Sequence, residues 1–187
     1  MPETTYQGKP LNVWLKSLGS EIAATQKEAA QALSSMGQEA VPDIIKALTD
    51  EDWQVRNQAA VALGLIGPEA RAAIPALSDL LQNEDKYLRS NAATALGKLG
   101  PEARSAVPAL TRALKDKDED VRQNAATALG RIGPEARAAV ADLVTLLKDE
   151  HRSVRKQAAL ALKAIDPEAA ARHLSVWSRF RLWLGIG

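Results

Sequence analysis

The tetrapeptide Gly-Pro-Glu-Ala begins at Gly67, Gly100 and Gly133, a fixed step of 33 residues. A fourth copy, Asp166-Pro167-Glu168-Ala169, keeps the step and replaces the glycine. A period of this length marks stacked supersecondary units, each burying its apolar face only against its neighbours. Such arrays generally present surfaces rather than catalytic pockets.

The rest of the unit repeats with the tetrapeptide. Val55-Arg56, Leu88-Arg89, Val121-Arg122 and Val154-Arg155 align, as do Ala59-Ala60, Ala92-Ala93, Ala125-Ala126 and Ala158-Ala159. Leu63, Leu96, Leu129 and Leu162 follow in register. Apolar steps of three and four residues predict an amphipathic helix, helix A, from about residue 53 to 66. Asp52, Asp85 and Asp118 are its expected N-caps. Gly67, Gly100 and Gly133 are expected to end it in a left-handed conformation, with the proline stopping the chain from continuing.

Pro75 and Pro108 mark the first turn of a second helix, helix B, with Ile74, Leu77, Leu80 and Leu81 on its buried face. The residue before each proline is expected to leave the helical region, which separates helix B from a short helical turn at Pro-Glu-Ala-Arg. The first unit is shorter, with helix A at about residues 25–36 and helix B at about 42–49. Leu11, Trp14, Leu15 and Leu18 predict one further helix capping the array. No alternating β-branched run and no Asn-Gly hairpin points to strands.

With 46% hydrophobic and only 4% aromatic residues, the core must be aliphatic and rich in alanine. A net charge of +1 argues against nucleic acid as the partner. The absence of cysteine excludes disulfides, thiolate metal sites and a cysteine nucleophile, and it fits a reducing compartment. The first residues show no leader pattern, so a cytoplasmic protein is the expectation. No run of about 18 apolar residues suggests a membrane span.

Little in the sequence suggests chemistry. His151 replaces the Asp52, Asp85 and Asp118 column, and His173 replaces the core-facing Ile74, Val107 and Val140 column. Neither has a second histidine nearby, so no metal site is expected. Asp116-Lys117-Asp118-Glu119-Asp120 starts like a calcium loop, but Val121 and Thr127 stand where glycine and an acid are required. An inter-repeat loop is the expected reading. No phosphate-binding loop, dinucleotide motif or activated serine is found. No catalytic, cofactor-binding or metal-binding residue is therefore expected.

The pattern Asp116, Val121-Arg122, Ala125-Ala126, Ala128-Leu129-Gly130, Ile132-Gly133 resembles HEAT-like repeats of the type found in phycobilisome lyase subunits. The resemblance covers about residues 25–171. It implies an all-α, right-handed α-solenoid of about five antiparallel helix pairs, with helix A convex and helix B concave. Residues 1–24 then form an N-terminal cap segment, and 172–187 a C-terminal helix. It also implies an interior ladder of hydrogen bonds between units, at an acid after helix B and an arginine six residues on: Asp50 with Arg56, Asp116 with Arg122, and Asp149 with Arg155, where a carboxylate or backbone carbonyl of the neighbouring unit can satisfy the arginine. Asn83 would deprive Arg89 of its charge partner. Deoxyhypusine hydroxylase, built on related repeats, holds iron through His-Glu pairs, and no His-Glu dipeptide occurs here.

The remaining signal is surface. Exposed helix-B columns read Ile45, Ser78, Thr111, Val144, Trp177; then Lys46, Asp79, Arg112, Thr145, Ser178; then Thr49, Gln82, Lys115, Lys148, Arg181. They vary where the core repeats, and grow more basic and apolar toward the C-terminus. The expected contact residues for a protein or acidic peptide are Ile45, Lys46, Arg112, Lys115, Val144, Lys148, Trp177 and Arg181. A solvated face without a partner is the bland alternative. Trp53 and Tyr87 add aromatic surface at one edge.

In residues 172–187, Val176, Trp177, Phe180, Trp183 and Leu184 share one helical arc beside Arg179 and Arg181. That pattern suits either a last helix packed on the array or a docking helix at a membrane surface. The expected function is a non-catalytic protein-interaction scaffold. The alternatives are a phycobilisome lyase-like chromophore-handling subunit and a membrane-peripheral adaptor.

Overall fold

The computed structural model describes residues 5–174. Small residues at the helix-A seam decide how the units stack. The long helices are α2 (Ala23–Ser35), α4 (Trp53–Ile66), α6 (Lys86–Leu99), α8 (Glu119–Ile132) and α10 (Arg152–Ile165). Each packs directly on the next in sequence order. A Cβ added at Gly97 would lie 2.9 Å from Ala128 Cα, so only glycine permits this approach. Gly64 against Ala95 and Gly130 against Ala161 repeat the contact.

The short helices are α3 (Val41–Ala47), α5 (Ile74–Leu80), α7 (Val107–Ala113) and α9 (Val140–Leu146). Ile44, Leu77, Leu110 and Leu143 repeat at one position and are fully buried beneath them. Each such leucine contributes on the order of 2 kcal/mol of apolar burial. Each short helix packs on the long helix of the following unit. The result is an all-α solenoid. The apolar run Trp53–Leu80 is long enough to cross a membrane by length and composition, yet it comprises α4, a turn and α5, with half of its apolar window buried.

The caps form as expected. Asp52, Asp85 and Asp118 each accept from the backbone N–H two residues on, at 2.8, 2.9 and 3.1 Å. The glycines do not take the expected left-handed helical conformation. Gly67 has φ 74° and ψ −140°, and Gly100 and Gly133 match it. That positive-φ extended region belongs almost solely to glycine, and it keeps the pre-proline residue out of the helical well. Three-ten segments follow at Gly67–Ala73, Gly100–Ala106 and Gly133–Ala139.

The break before helix B falls four residues earlier than the proline rule predicts. Ile74, directly before Pro75, is right-handed helical (φ −55°, ψ −45°), and Val107 is the same. Ala73 is right-handed helical too (φ −84°, ψ −8°), and the backbone leaves the helical well at Ala70 (φ −83°, ψ 19°), as it does at Ala103 and Ala136. Pro75 sits in the first turn, where its missing N–H has no helical acceptor to lose.

The N-terminal cap holds a feature absent from the sequence expectation. Thr5–Tyr6 (β1) and Lys9–Pro10 (β2) pair as an antiparallel hairpin ahead of α1 (Leu11–Ser17). Gln7 and Gly8 both have positive φ, 51° and 72°, as a tight primed turn requires. The hairpin closes over Trp14, which is 1% exposed. The Trp14 indole donates to the Tyr6 carbonyl at 3.2 Å, and Lys9 Nζ lies 4.4 Å from its ring centre.

Candidate interaction surface

The interior ladder runs between units, as expected, but its arginines take different acids from the expected ones. Arg89 donates to both oxygens of Asp116 at 2.8 Å, and Arg122 grips Asp149 at 2.8 and 3.1 Å. Within its own unit each arginine takes backbone carbonyls instead: Arg122 binds the Asp116 carbonyl at 2.8 Å, and Arg155 binds those of Asp149 and Glu150. The reason is local. The carboxylates of Asp50, Asp116 and Asp149 fold onto the N–H two residues ahead, which turns them away from the arginine six residues on.

The expected pairs Asp50–Arg56, Asp116–Arg122 and Asp149–Arg155 are therefore replaced by Arg89–Asp116 and Arg122–Asp149. The rung broken by Asn83 belongs to Arg56, which bonds the Asp50 and Glu51 carbonyls and, among the described residues, no carboxylate. Arg89, expected to lack a charge partner, has one.

Burial pushes the Asp149 carboxyl up, but the Arg122 guanidinium and the His151 N–H outweigh it and hold it below the usual aspartate range. Asp149 in turn raises the Arg122 guanidinium. A hydrogen bond from Lys86 lowers Asp118, against the opposing effect of burial. The calcium-loop reading finds no place here, since Asp116 serves Arg89 and Asp118 serves the α8 cap and Lys86. Among the described residues no group of three His, Asp or Glu side chains could hold a metal ion.

A second set of inter-unit bonds went unread in the sequence. Asn91 donates to Asn57 at 2.9 Å and Asn124 donates to Ser90 at 2.8 Å across the helix-A seams. Their signal was a polar column beside the alanine pairs. His151 occupies the N-cap position of α10 without capping, and its Nδ1 lies 3.2 Å from Arg122. His173 is exposed rather than core-facing. Asp166 cannot adopt the glycine turn (φ −147°, ψ 90°), so the chain enters a helix over residues 167–174 with no three-ten segment, and the column alignment lapses.

Ile45 and Val144 are half-buried against the core. Lys46, Arg112, Lys115 and Lys148 are exposed. Lys46 is held by Asp43 at 2.8 Å and Lys115 by Asp142 at 2.9 Å. Arg112 and Lys148 have no carboxylate partner among the described residues. Arg112 and Lys115 line one cavity of about 250 Å³, together with Leu81, Gln82 and Ala113. Lys46, Val144 and Lys148 belong to other units. Trp177 and Arg181 lie outside the described residues. Trp53 and Tyr87 are exposed at the starts of α4 and α6, with Lys86 Nζ 5.3 Å from the Tyr87 ring centre.

No curated protein matches the chain. Among solved structures, an engineered protein is 28% identical, with a TM-score of 0.65, covering 95% of this chain and 90% of its own. The complex of CpcE and CpcF of phycocyanin lyase from Nostoc sp. PCC7120 is 21% identical with a TM-score of 0.72, covering 81% of this chain and 96% of that one. The Kap95:Nup1 complex gives 16% identity and a TM-score of 0.72, covering 98% of this chain and 28% of that one. The family pattern described as HEAT repeats matches residues 11–85 and 74–140, more than half of the chain. Stacked helix pairs, inter-unit arginine rungs and this match agree, and the chain belongs to the HEAT-repeat family.

Proposed function

We propose that the chain is a non-catalytic scaffold binding another protein or peptide along the face formed by α3, α5, α7 and α9. One observation carries this reading. The seam columns repeat from unit to unit, whereas the outward column of the short helices changes through Lys46, Asp79, Arg112 and Thr145. Repetition serves stacking; variation along an exposed face serves recognition of a partner with its own sequence. Two solved neighbours, CpcE with CpcF and Kap95 with Nup1, are themselves complexes between proteins.

Affinity capture from cell extract, quantified by mass spectrometry, tests the reading. The chain is compared with Arg112→Glu/Lys148→Glu on the short-helix face and with Lys98→Glu/Arg131→Glu on the long helices. Proteins retained by the chain and the second variant, and lost from the first, are expected. Equal retention by all three refutes the reading.

The lyase-like alternative rests on shared fold, and absorbance of the protein mixed with a bilin tests it. The membrane alternative rests on residues 172–187, most of which lie outside the described residues. Liposome co-sedimentation with and without that segment tests it.

A further inference from the structure

We infer that the cavity beside Arg112 seats a carboxylate side chain of the partner polypeptide, which rests on the scaffold reading above. Three charged groups line this cavity. Two are already satisfied: Asp116 by both arms of Arg89, and Lys115 by Asp142. The exposed guanidinium of Arg112 is left as one uncompensated positive charge above an apolar floor of Leu81, Ala109 and Ala113.

The cavity has a sequence cause. Ala113 stands where the neighbouring units carry Leu80 and Leu146, and Ala109 where the next carries Asp142. The two side chains take up less volume between α5 and α7 than Leu146 and Asp142, their counterparts one unit on, do. At about 250 Å³ the space falls below that of a drug-sized ligand site and suits one side chain. A planar guanidinium at its rim matches a carboxylate in two-point geometry.

Surrounding charges set a register. Asp79, in the Arg112 column one unit earlier, is exposed and disfavours a second acid there. Lys148, one unit later and one column over, is exposed without a carboxylate partner and favours one. Stacked helices stand about 8–10 Å apart. An extended polyproline II chain rises about 3.1 Å per residue with three residues per turn, so every third side chain returns to the same face after about that distance. The partner chemistry is therefore an extended segment with two acids three residues apart, one for Arg112 and one for Lys148.

The probe is a fluorescein-labelled peptide with two glutamates three residues apart in an otherwise uncharged sequence, beside its glutamine counterpart, read by fluorescence anisotropy on the full chain. Two variants separate charge from shape. Arg112→Gln removes the cation at an exposed site. Ala113→Leu restores the side chain of the Leu80 and Leu146 column and fills the space. Circular dichroism checks that both remain folded.

Saturable binding of the glutamate peptide is expected, weakened about tenfold by either variant. The glutamine peptide is expected to bind at least as weakly. Amide shifts on titration are expected at Leu81, Gln82, Ala109 and Ala113. Equal affinity across the chain and both variants, shifts confined elsewhere, or no binding of the glutamate peptide overturns the inference. The scaffold reading fails separately, when captured proteins ignore the double charge reversal.

Discussion

Arg122→Ala is the sharpest test of what holds consecutive units together. The substitution removes two charge-assisted bonds to Asp149, at 2.8 and 3.1 Å, and one to the Asp116 carbonyl at 2.8 Å. It strands the Asp149 carboxylate, whose side chain is 8% exposed. Removing one partner of a buried pair destabilises by about 3–5 kcal/mol, because the remaining charge stays buried without compensation. Asp149 keeps the His151 N–H at 2.9 Å, which places the loss near the lower end, at about 3 kcal/mol.

In a chain of this length each kcal/mol moves the thermal midpoint by about 2–4 °C, so the fall should be about 6–12 °C. Urea unfolding followed by far-ultraviolet circular dichroism gives the free energy, and a melt gives the midpoint. Arg155→Ala is the control. That side chain is half-buried and, among the described residues, bonds two backbone carbonyls and no carboxylate, so about 1 kcal/mol is expected. Adding Asp149→Ala to Arg122→Ala should recover part of the loss by removing the stranded charge. A loss from Arg122→Ala no larger than that from Arg155→Ala refutes the inter-unit rung as a stabilising element.

The opposite change repairs a rung. Asn83→Asp supplies Arg56 with the carboxylate that Asp116 gives Arg89, while keeping the bond to the Asp85 N–H, and should stabilise by about 1 kcal/mol in urea. Gly97→Ala places a Cβ 2.9 Å from Ala128 Cα, so overpacking of about 1–3 kcal/mol should exceed the gain of about 1 kcal/mol in helix propensity, read as a lower melting midpoint.

Acid should weaken the array through Asp149 and Asp118. Their carboxyls sit below the ordinary range when folded, so the stability they contribute is present above about pH 4 and is lost as pH falls through the folded values. Melts from pH 7 downward check this, and Asp149→Asn should flatten the acid slope.

What the sequence disclosed was the chemistry that acts within one unit. The Asp52, Asp85 and Asp118 caps were legible because a cap and its N–H lie two residues apart, and local spacing determines the bond. The long-helix seam was legible because its columns repeat. The arginine rungs were legible as inter-unit bonds, but their acids were misplaced, because the guanidinium takes the acid of the following unit while the acid six residues before it folds onto its own backbone. The hairpin at Thr5–Pro10 escaped because strands of two residues bury no alternating face. Its Gln-Gly turn was the sole cue. The Ala113 cavity was hidden for a different reason: alanine satisfies the apolar helix pattern as well as leucine does, so period alone cannot report lost volume.

The departures from the period carry more meaning than the period itself. Gly67, Gly100 and Gly133 end a helix through a conformation that other residues avoid. Asp166 in the same place starts one: its carboxylate accepts from the Ala169 N–H at 2.9 Å and from Arg137 at 3.1 Å. The Ala169 N–H first, and Arg137 after it, hold that carboxyl below its usual range against burial. Three residues earlier, Lys163 occupies the column of Gly64, Gly97 and Gly130. Those glycines admit the next long helix to backbone contact, and a lysine side chain cannot. The outer side of α10 therefore lacks the close glycine seam that α8 offers α10. The same logic separates Arg112 from its column. Where a unit keeps the consensus it is stacking, and where it gives up volume or leaves a charge unpaired it has surface available for another molecule.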